Sequence, residues 1–392
     1  MEQFGFKQNS GTREAIFTMR NIIETYISKQ KVIYACFIDY AKAFDRVQYT
    51  KLITYLRNIN IDNRDIRLIT NLYWEQTASV RVEQDMSQEV DIRKGVRHGC
   101  VLSPTLFNLY TETIFRHISN VKGVTVGGRN INNLRYADDT VLLAENEKDL
   151  QELRTIIQNK SAEFGLNMNV KKTKVMVISS KDMVLTAQIS LDGVILEQVK
   201  QFTYLGHLIT DDGYCDAEIR RRIGIAKTCF NNMRNMLVSG NIRLSLRLRL
   251  LQCYVWSTLL YGAEMWTLKK STTKKLEAFE MWSYRRIGKI SWLDKKTNEQ
   301  VLQKLNTERN IIENIKRRKL VYLGHIKRHD TIIKQTLEGT TQGTRGRGRP
   351  RTTWMDNVRQ WTGLHLADIS NKSLDRKEWR SIAANLSKRE GT

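Results

Sequence analysis

Leu134-Arg135-Tyr136-Ala137-Asp138-Asp139-Thr140-Val141-Leu142-Leu143 sets two adjacent carboxylates inside an otherwise apolar, strand-like run. The pattern predicts a tight hairpin, with Tyr136 and Val141 to Leu143 packed below and the acids at the tip. Neighbouring like charges repel and resist desolvation, so such a pair is tolerated mainly where cations neutralise it. Hard divalent ions that take oxygen ligands, Mg²⁺ above all, are the natural neutralisers. Paired Asp residues also occur in ordinary solvated turns, and the tetrapeptide alone does not decide between the two.

A second acidic stretch upstream adds weight to the metal reading. Val32-Ile33-Tyr34-Ala35-Cys36-Phe37-Ile38 is apolar, of strand type, and ends on Asp39, followed by Tyr40-Ala41-Lys42-Ala43-Phe44-Asp45. One carboxylate at the end of a buried strand, beside a hairpin bearing two, predicts a two-metal site for phosphoryl chemistry.

At this point the chain resembles the reverse transcriptases, in the wording of non-LTR (LINE-type) retrotransposons. Asp39 with Phe44-Asp45 resembles their motif A, and Tyr136-Ala137-Asp138-Asp139 their motif C. Between them, Lys94-Gly95-Val96-Arg97-His98-Gly99-Cys100-Val101-Leu102-Ser103-Pro104 is similar to motif B. After them, Gly165-Leu166-Asn167 with Lys171-Lys172-Thr173-Lys174 resembles motif D, and Phe202-Thr203-Tyr204-Leu205-Gly206 the primer-grip motif E. Five motifs in family order cover about half the chain.

The resemblance implies an α+β fold: a right-hand polymerase palm of antiparallel strands backed by helices, with partial fingers, an α-helical thumb and a basic C-terminal tail. Its divisions would be partial fingers over 1–31, palm over 32–213, thumb and basic helices over 214–338, a Gly/Arg linker over 339–353 and a small helical segment over 354–392. It also implies N-terminal truncation, with incomplete fingers and no endonuclease domain. The implied activity is RNA-directed DNA polymerisation, with RNA template, DNA primer and dNTPs as partners. By the same resemblance Asp39, Asp138, Asp139 and the main-chain carbonyl of Tyr40 would hold two Mg²⁺ ions, with Mn²⁺ as a substitute. Lys172 would protonate the leaving pyrophosphate, and Phe44 would sit under the incoming sugar and reject a 2′-hydroxyl. Gly99 would face the nascent base pair beside His98, which stands where the family ordinarily has Gln. Phe202, Tyr204, Leu205 and Gly206 would hold the primer end. Two rivals stay open: a catalytically silent nucleic-acid-binding remnant, and an RNA-dependent RNA polymerase.

Charge divides along the chain. Residues 1–213 hold 27 Lys and Arg against 25 Asp and Glu, whereas 214–392 hold 37 against 16. That basic half is the footprint of a polyanion partner. Its helices, read over 218–237, 244–260, 272–290 and 310–329 from apolar spacing, carry Arg220-Arg221-Arg222 as phosphate contacts. Trp256, Trp266, Trp282 and Trp292 recur within apolar helical faces and read as core, not as stacking platforms. Arg345-Gly346-Arg347-Gly348-Arg349-Pro350-Arg351 reads equally as an AT-hook-like minor-groove reader, through Arg347 and Arg349, or as a flexible basic tether.

Remaining features bound the class. Helices are expected over the Ile16-Met19-Ile23-Ile27 face, around Leu52 to Leu56, and over 147–164; strands over 78–82, 89–93, 175–178 and 187–196. Ser103 is expected as N-cap with Pro104 at the first helical position, and Asp45 as a helix-capping acid. Gly95 and Gly99 are expected to admit a ligand close to the backbone. Five scattered cysteines read as reduced thiols, and neither a membrane-length apolar run nor a signal-peptide layout is present, implying a soluble intracellular protein of nucleus or cytoplasm.

Overall fold

In the computed structural model of the chain, which describes residues 2–180, 185–346 and 348–385, four apolar runs join edge to edge as one antiparallel sheet. These are β1 (Ile33–Ile38), β2 (Asn133–Tyr136), β3 (Asp139–Ala144) and β4 (Lys174–Ile178), in the order β4-β1-β3-β2. The register pairs Ile38 with Thr140 and Cys36 with Leu142. Because side chains alternate across a strand, Asp39 and Asp139 fall on the Phe37 and Val141 face. The opposite face sends Cys36, Ile38, Leu142 and Ala144 into a core shared with Phe107 and Tyr110 of α2 (Ser103–Phe115) and Leu150, Leu153 and Ile157 of α3 (Glu147–Glu163). Helix α1 (Thr12–Ser28) packs beside β2, with Ile16, Met19, Ile23 and Ile27 all buried.

The chain forms two compact units, Met1–Leu205 with Gly339–Arg345, and Gly206–Glu338 with Gly346–Thr392. In the first unit two strand readings give way to turns. The expected strands at 78–82 and 89–93 form four short pieces, Gln76–Ala78, Arg81–Val82, Asp85–Met86 and Val90–Ile92, with Val82, Met86 and Val90 exposed, as is Val80 between the first two. Their β-branched residues gain no buried face that would lengthen them. The expected strand over 187–196 folds back at Asp192-Gly193, both with positive φ, into a two-residue hairpin between Ser190–Leu191 and Val194–Ile195. Asp-Gly is a preferred pair for such a turn.

The second unit is helical. It comprises α4 (Asp216–Asn232), Arg234–Leu237, Leu244–Leu250 running on through a π-helical stretch to Leu259, α5 (Lys270–Ile287), Asn298–Leu305 and α6 (Ile311–Arg328). Their core gathers Phe230, Trp256, Trp266, Phe279 and Tyr284. The C-terminal helices Trp354–Thr362, Leu366–Leu374 and Arg376–Asn385 pack onto this unit: Trp379 lies against Gly324 and donates to Leu320 O at 2.7 Å. Among the described residues no helix is long and apolar enough to cross a membrane, and all five cysteines are free thiols.

The basic stretch expected equally as an AT-hook-like segment or a flexible tether is anchored within each unit. Thr340 O accepts from Gly127 N at 2.8 Å and Gly343 O from Lys29 Nζ at 3.2 Å in the first. In the second, Arg351 donates to Asp212 O at 2.7 Å and lies over the Tyr214 ring.

Candidate active site

The Tyr136–Asp139 pair closes a two-residue loop, Ala137-Asp138, in which Ala137 takes a left-handed φ of +56°. An alanine held there costs about 1–2 kcal/mol, and the surroundings enforce it. The N-terminal residues lie alongside β2: Phe4 N donates to Arg135 O at 2.8 Å and Arg135 N to Glu2 O at 2.9 Å. Gln3 Oε1 accepts from both Gly5 N (2.9 Å) and Ala137 N (3.2 Å), while Gln3 Nε2 donates to Asn108 Oδ1 and Asn108 Nδ2 to Gly5 O. A Cβ at Gly5 would stand 2.5 Å from Ala137 N, so only glycine permits this contact. Beneath the turn, buried Arg135 pairs with Glu112 at 2.8 Å and lies over Phe115. Sequence reasoning missed Gln3, Gly5, Asn108 and the Arg135–Glu112 pair; the glycine between Phe4 and Phe6 was the available signal.

Asp39 leaves the end of β1 beside Asp139. The loop before β4 continues the ladder: Asn169 N donates to Asp39 O at 2.8 Å and Ala41 N to Asn167 O at 2.9 Å, around a Tyr40–Met168 bridge. In that pattern the Tyr40 carbonyl points away from Met168, to the β3 side. The Tyr40 side chain is buried with its hydroxyl 2.9 Å from Ser161 Oγ. The same loop carries Lys172, whose Nζ stands 3.7 Å from Asp39 Oδ2. That oxygen is shielded from solvent and accepts no hydrogen bond among the described residues.

The three carboxylates feel one another. Burial first, then the charges of Asp138 and Asp39, push the Asp139 carboxyl up to about 6, although the residue as a whole keeps access to solvent. Asp138 is also raised, by burial and then by Asp39, against hydrogen bonding to its own amide. Buried Tyr204 is raised by burial and by the nearby Asp139, which sets it at the carboxylates. Its neighbour Phe202 stacks on Phe37 at 4.2 Å on the same face of the sheet. Leu205 and Gly206 follow with φ of +48° and +75°.

Hard oxygen donors, mutual repulsion and an orphaned carboxylate oxygen suit a divalent cation. Among the described residues no three His, Cys, Asp or Glu side chains stand close enough to hold a metal ion by themselves. Mg²⁺ does not require such a cage, since at phosphoryl-transfer sites it takes one or two carboxylates together with substrate phosphates.

Beside the acids, Phe44 stacks on Phe107 at 4.4 Å, with the His98 ring 5.9 Å away. Asp45, expected as a helix cap, makes no capping bond and instead faces His98 Nε2 at 2.9 Å, both side chains well exposed. Gly95 does approach backbone closely, but that of Asp45, and Gly99 is required by its φ of +81° and not by crowding. Ser103 is the first residue of α2 and not its cap; its Oγ lies 3.1 Å from Tyr73 OH.

The three consecutive arginines of the second unit part company. Arg222 is buried, bonds to Glu218 at 2.6 Å and donates to Gly206 O, so it is unavailable to phosphate. Arg221 reaches Glu218 at 3.1 Å and Gly206 O at 3.3 Å. Arg220 is exposed, with Nε on Asp216 O. Arg349 is exposed, and Arg347 lies outside the described residues. Of the four tryptophans read as core, Trp256 and Trp266 are buried and Trp282 is half-buried, but Trp292 is 84% exposed.

Several known proteins are similar to this chain. A transposon-derived protein of Caenorhabditis elegans is 28% identical over 271 residues, 66% of this chain and 96% of that protein. A Drosophila melanogaster protein described as a probable RNA-directed DNA polymerase from transposon BS is 26% identical, covering 86% of this chain and 37% of the relative. The RNA-directed DNA polymerase from mobile element jockey of Drosophila funebris is 24% identical over 74% of this chain and 32% of its own length. This chain therefore spans about a third of each of those two polymerases. A solved apo telomerase from Candida tropicalis aligns with 86% of this chain and 57% of its own at 13% identity and a TM-score of 0.41. Residues 1–209, more than half the chain and the whole of the acidic site, match the reverse transcriptase (RNA-dependent DNA polymerase) family, and to that family the chain belongs.

Proposed function

We propose that the chain carries out template-directed DNA synthesis on RNA, transferring a nucleotide from dNTP to a primer 3′-hydroxyl. The observation that supports this reading is that Asp138 and Asp139 are both held above their ordinary pKa by burial and by the charge of Asp39, with Asp139 in turn acting on Tyr204. Asp39, Asp138 and the Tyr40 carbonyl would hold two Mg²⁺ ions, with Asp139 completing or supporting the set. Bound there, the ions supply a lowered pKa at the primer hydroxyl and neutralise the charge that develops at the phosphate.

The remaining roles belong to the chain's own side chains. Lys172, on the loop before β4, would give a proton to the leaving pyrophosphate, a role supported by its ion pair with Asp39 at 3.7 Å. Phe44, pinned by Phe107, presents a fixed ring against the sugar, which supports preference for deoxynucleotides. His98, oriented by Asp45, and Gly99 line the nucleotide side. Phe202 and Tyr204, with the Leu205-Gly206 turn, hold the primer end. On this reading the first unit holds the palm with the residues of the partial fingers, and the second holds the thumb.

Poly(A)/oligo(dT) extension with dTTP and Mg²⁺ tests the proposal. Asp138→Asn is expected to lower incorporation at least about 10³-fold while duplex affinity changes less than about threefold, since it removes a metal ligand and not a phosphate contact. Undiminished extension by that variant overturns the site. No incorporation by the unaltered chain, with duplex binding retained, would favour a nucleic-acid binder without catalysis, and equal use of rNTPs would favour an RNA polymerase.

A further inference from the structure

Trp292 is not placed by burial. Its indole is 84% exposed and its neighbour Leu293 87% exposed, yet the short turn that carries them is firmly built. Ser291 Oγ accepts from Leu293 N, and Ser291 N donates to Asp294 Oδ2 at 2.9 Å. Lys295 turns the chain back with φ of +46°. Arg285 of α5 then ties the return, donating to Lys296 O at 2.8 Å and Asn298 Oδ1 at 3.1 Å while its guanidinium lies 5.7 Å from the Trp292 ring. Hydrogen bonds thus hold a large flat apolar group out in water, the opposite of what burial favours.

Between this turn and α5 opens a cavity of about 580 Å³, within the roughly 300–1,000 Å³ range of ligand sites. Trp282 forms its inner wall, stacked on Phe279 at 5.6 Å and covered by the Arg286 guanidinium at 3.9 Å. Four of the lining side chains are cationic, Lys274, Arg285, Arg286 and Arg309, against one acid, Glu277. Flat aromatic faces interleaved with guanidinium groups match bases strung on a phosphate backbone.

We propose that this cavity binds an unpaired stretch of nucleic acid, one base stacking on Trp292 while the arginines face the adjoining phosphates. A duplex does not fit the arrangement, because its bases already stack on one another and present no free face. An acidic peptide would satisfy the cations but leave the indole unused. All its lining residues belong to the second unit, so its binding can be measured without catalysis.

Fluorescence anisotropy of the full chain in EDTA, with labelled oligo(rU), oligo(dT) and an RNA hairpin duplex of equal phosphate number, tests the proposal. Trp292→Ala is expected to weaken binding of at least one single strand about tenfold, with less than a twofold change for the duplex and an unchanged salt dependence. The arm with the larger loss identifies the sugar the cavity takes. Trp292→Phe should keep most of the affinity, and Arg286→Gln should lower the log–log salt slope for the single strand by about 0.7. Since Trp292 is exposed, its truncation leaves the fold in place. Equal losses for strand and duplex, or no loss for either strand, overturn the proposal. A polyglutamate competitor whose displacing power falls in step with Trp292→Ala also overturns it, in favour of a surface for acidic peptides.

Discussion

Each of the two units sets acids against their surroundings, and they treat them differently. In the first, burial and the charge of Asp39 raise Asp138 and Asp139, with Lys172 at 3.7 Å from Asp39 as the ion-pair partner. In the second, Glu218 is fully buried but answered on every side: Arg222 at 2.6 Å, Arg221 at 3.1 Å, Leu208 N at 3.0 Å and His207 Nδ1 at 3.6 Å. Glu280 stands between the two cases: its Oε1 accepts from Asn310 N and Ile311 N at the start of α6, whereas its buried Oε2 accepts no hydrogen bond among the described residues and burial raises its carboxyl. An acid whose field is met by donors holds a structure together. Acids that are desolvated and set beside like charge are, on the proposed reading, the ones kept for a ligand.

Removing an answered acid should therefore cost most. Glu218→Ala strands two guanidinium groups and leaves Leu208 N without its acceptor, and is expected to destabilise the second unit by about 3–5 kcal/mol. A urea titration followed by tryptophan fluorescence, which reports mainly on that unit's rings, measures it. A loss below about 1 kcal/mol would erase the distinction drawn between the two kinds of acid.

Next in size is the support of the unanswered acids. Gly5→Ala puts a methyl 2.5 Å from Ala137 N and must displace the turn that carries Asp138. Shifts near 1 Å at a reacting centre cost about 100-fold in rate, so primer extension should fall by about that factor while duplex binding is kept. Full activity in Gly5→Ala would show that the N-terminal residues merely lie against the hairpin.

These supports mark the limit of what the sequence discloses. The carboxylates were legible because their chemistry is written in adjacent residues: an apolar run ending on Asp39, and a two-residue loop between strands. Gln3 and Asn108 were not, since their bond joins positions 105 apart and neither residue type announces a partner. Arg135 alternates with apolar neighbours and reads as a solvent-facing strand residue until Glu112 is found beneath it. Among the tryptophans, the reading as core held for Trp256 and Trp266 and in part for Trp282 of α5, but failed for Trp292, which lies just beyond the helix in a turn and is exposed. The basic stretch at 339–353 read equally as an AT-hook-like segment or a tether because Gly, Arg and Thr have no periodicity, whereas its anchoring depends on carbonyls at Thr340, Gly343 and Asp212.

A smaller effect sharpens the comparison through pH. The folded Asp139 carboxyl, at about 6 against an ordinary 3.8, binds protons more readily than the unfolded one. Stability of the metal-free first unit thus falls as pH rises from about 4 to 6, and the whole penalty is present above that range. Asp139→Asn should remove it, raising stability at pH 7 in EDTA by on the order of 1 kcal/mol, a figure already cut for solvent screening at an accessible side chain. Mg²⁺ should bind better to the unaltered chain as pH rises through 6, because the ligands must be deprotonated. Thermal melts at pH 4.5 and 7, with and without Mg²⁺, read both effects; a flat profile for the unaltered chain would deny that the carboxylates repel.

The smallest effect separates neighbours within one helix. Glu218 draws in the arginines three and four residues on and leaves Arg220 on the outer face of α4. Arg220→Ala removes one exposed charge, so the log–log salt slope of duplex binding should drop by about 0.9 if that residue meets a phosphate, with the urea midpoint unmoved. Arg222→Ala should do the reverse, leaving the slope alone and lowering the midpoint, because it exposes an unanswered Glu218. Were Arg222→Ala to change the slope instead, buried ion pairs in the second unit would have to open when nucleic acid binds, and the division between charges that hold the fold and charges that hold the ligand would fail there.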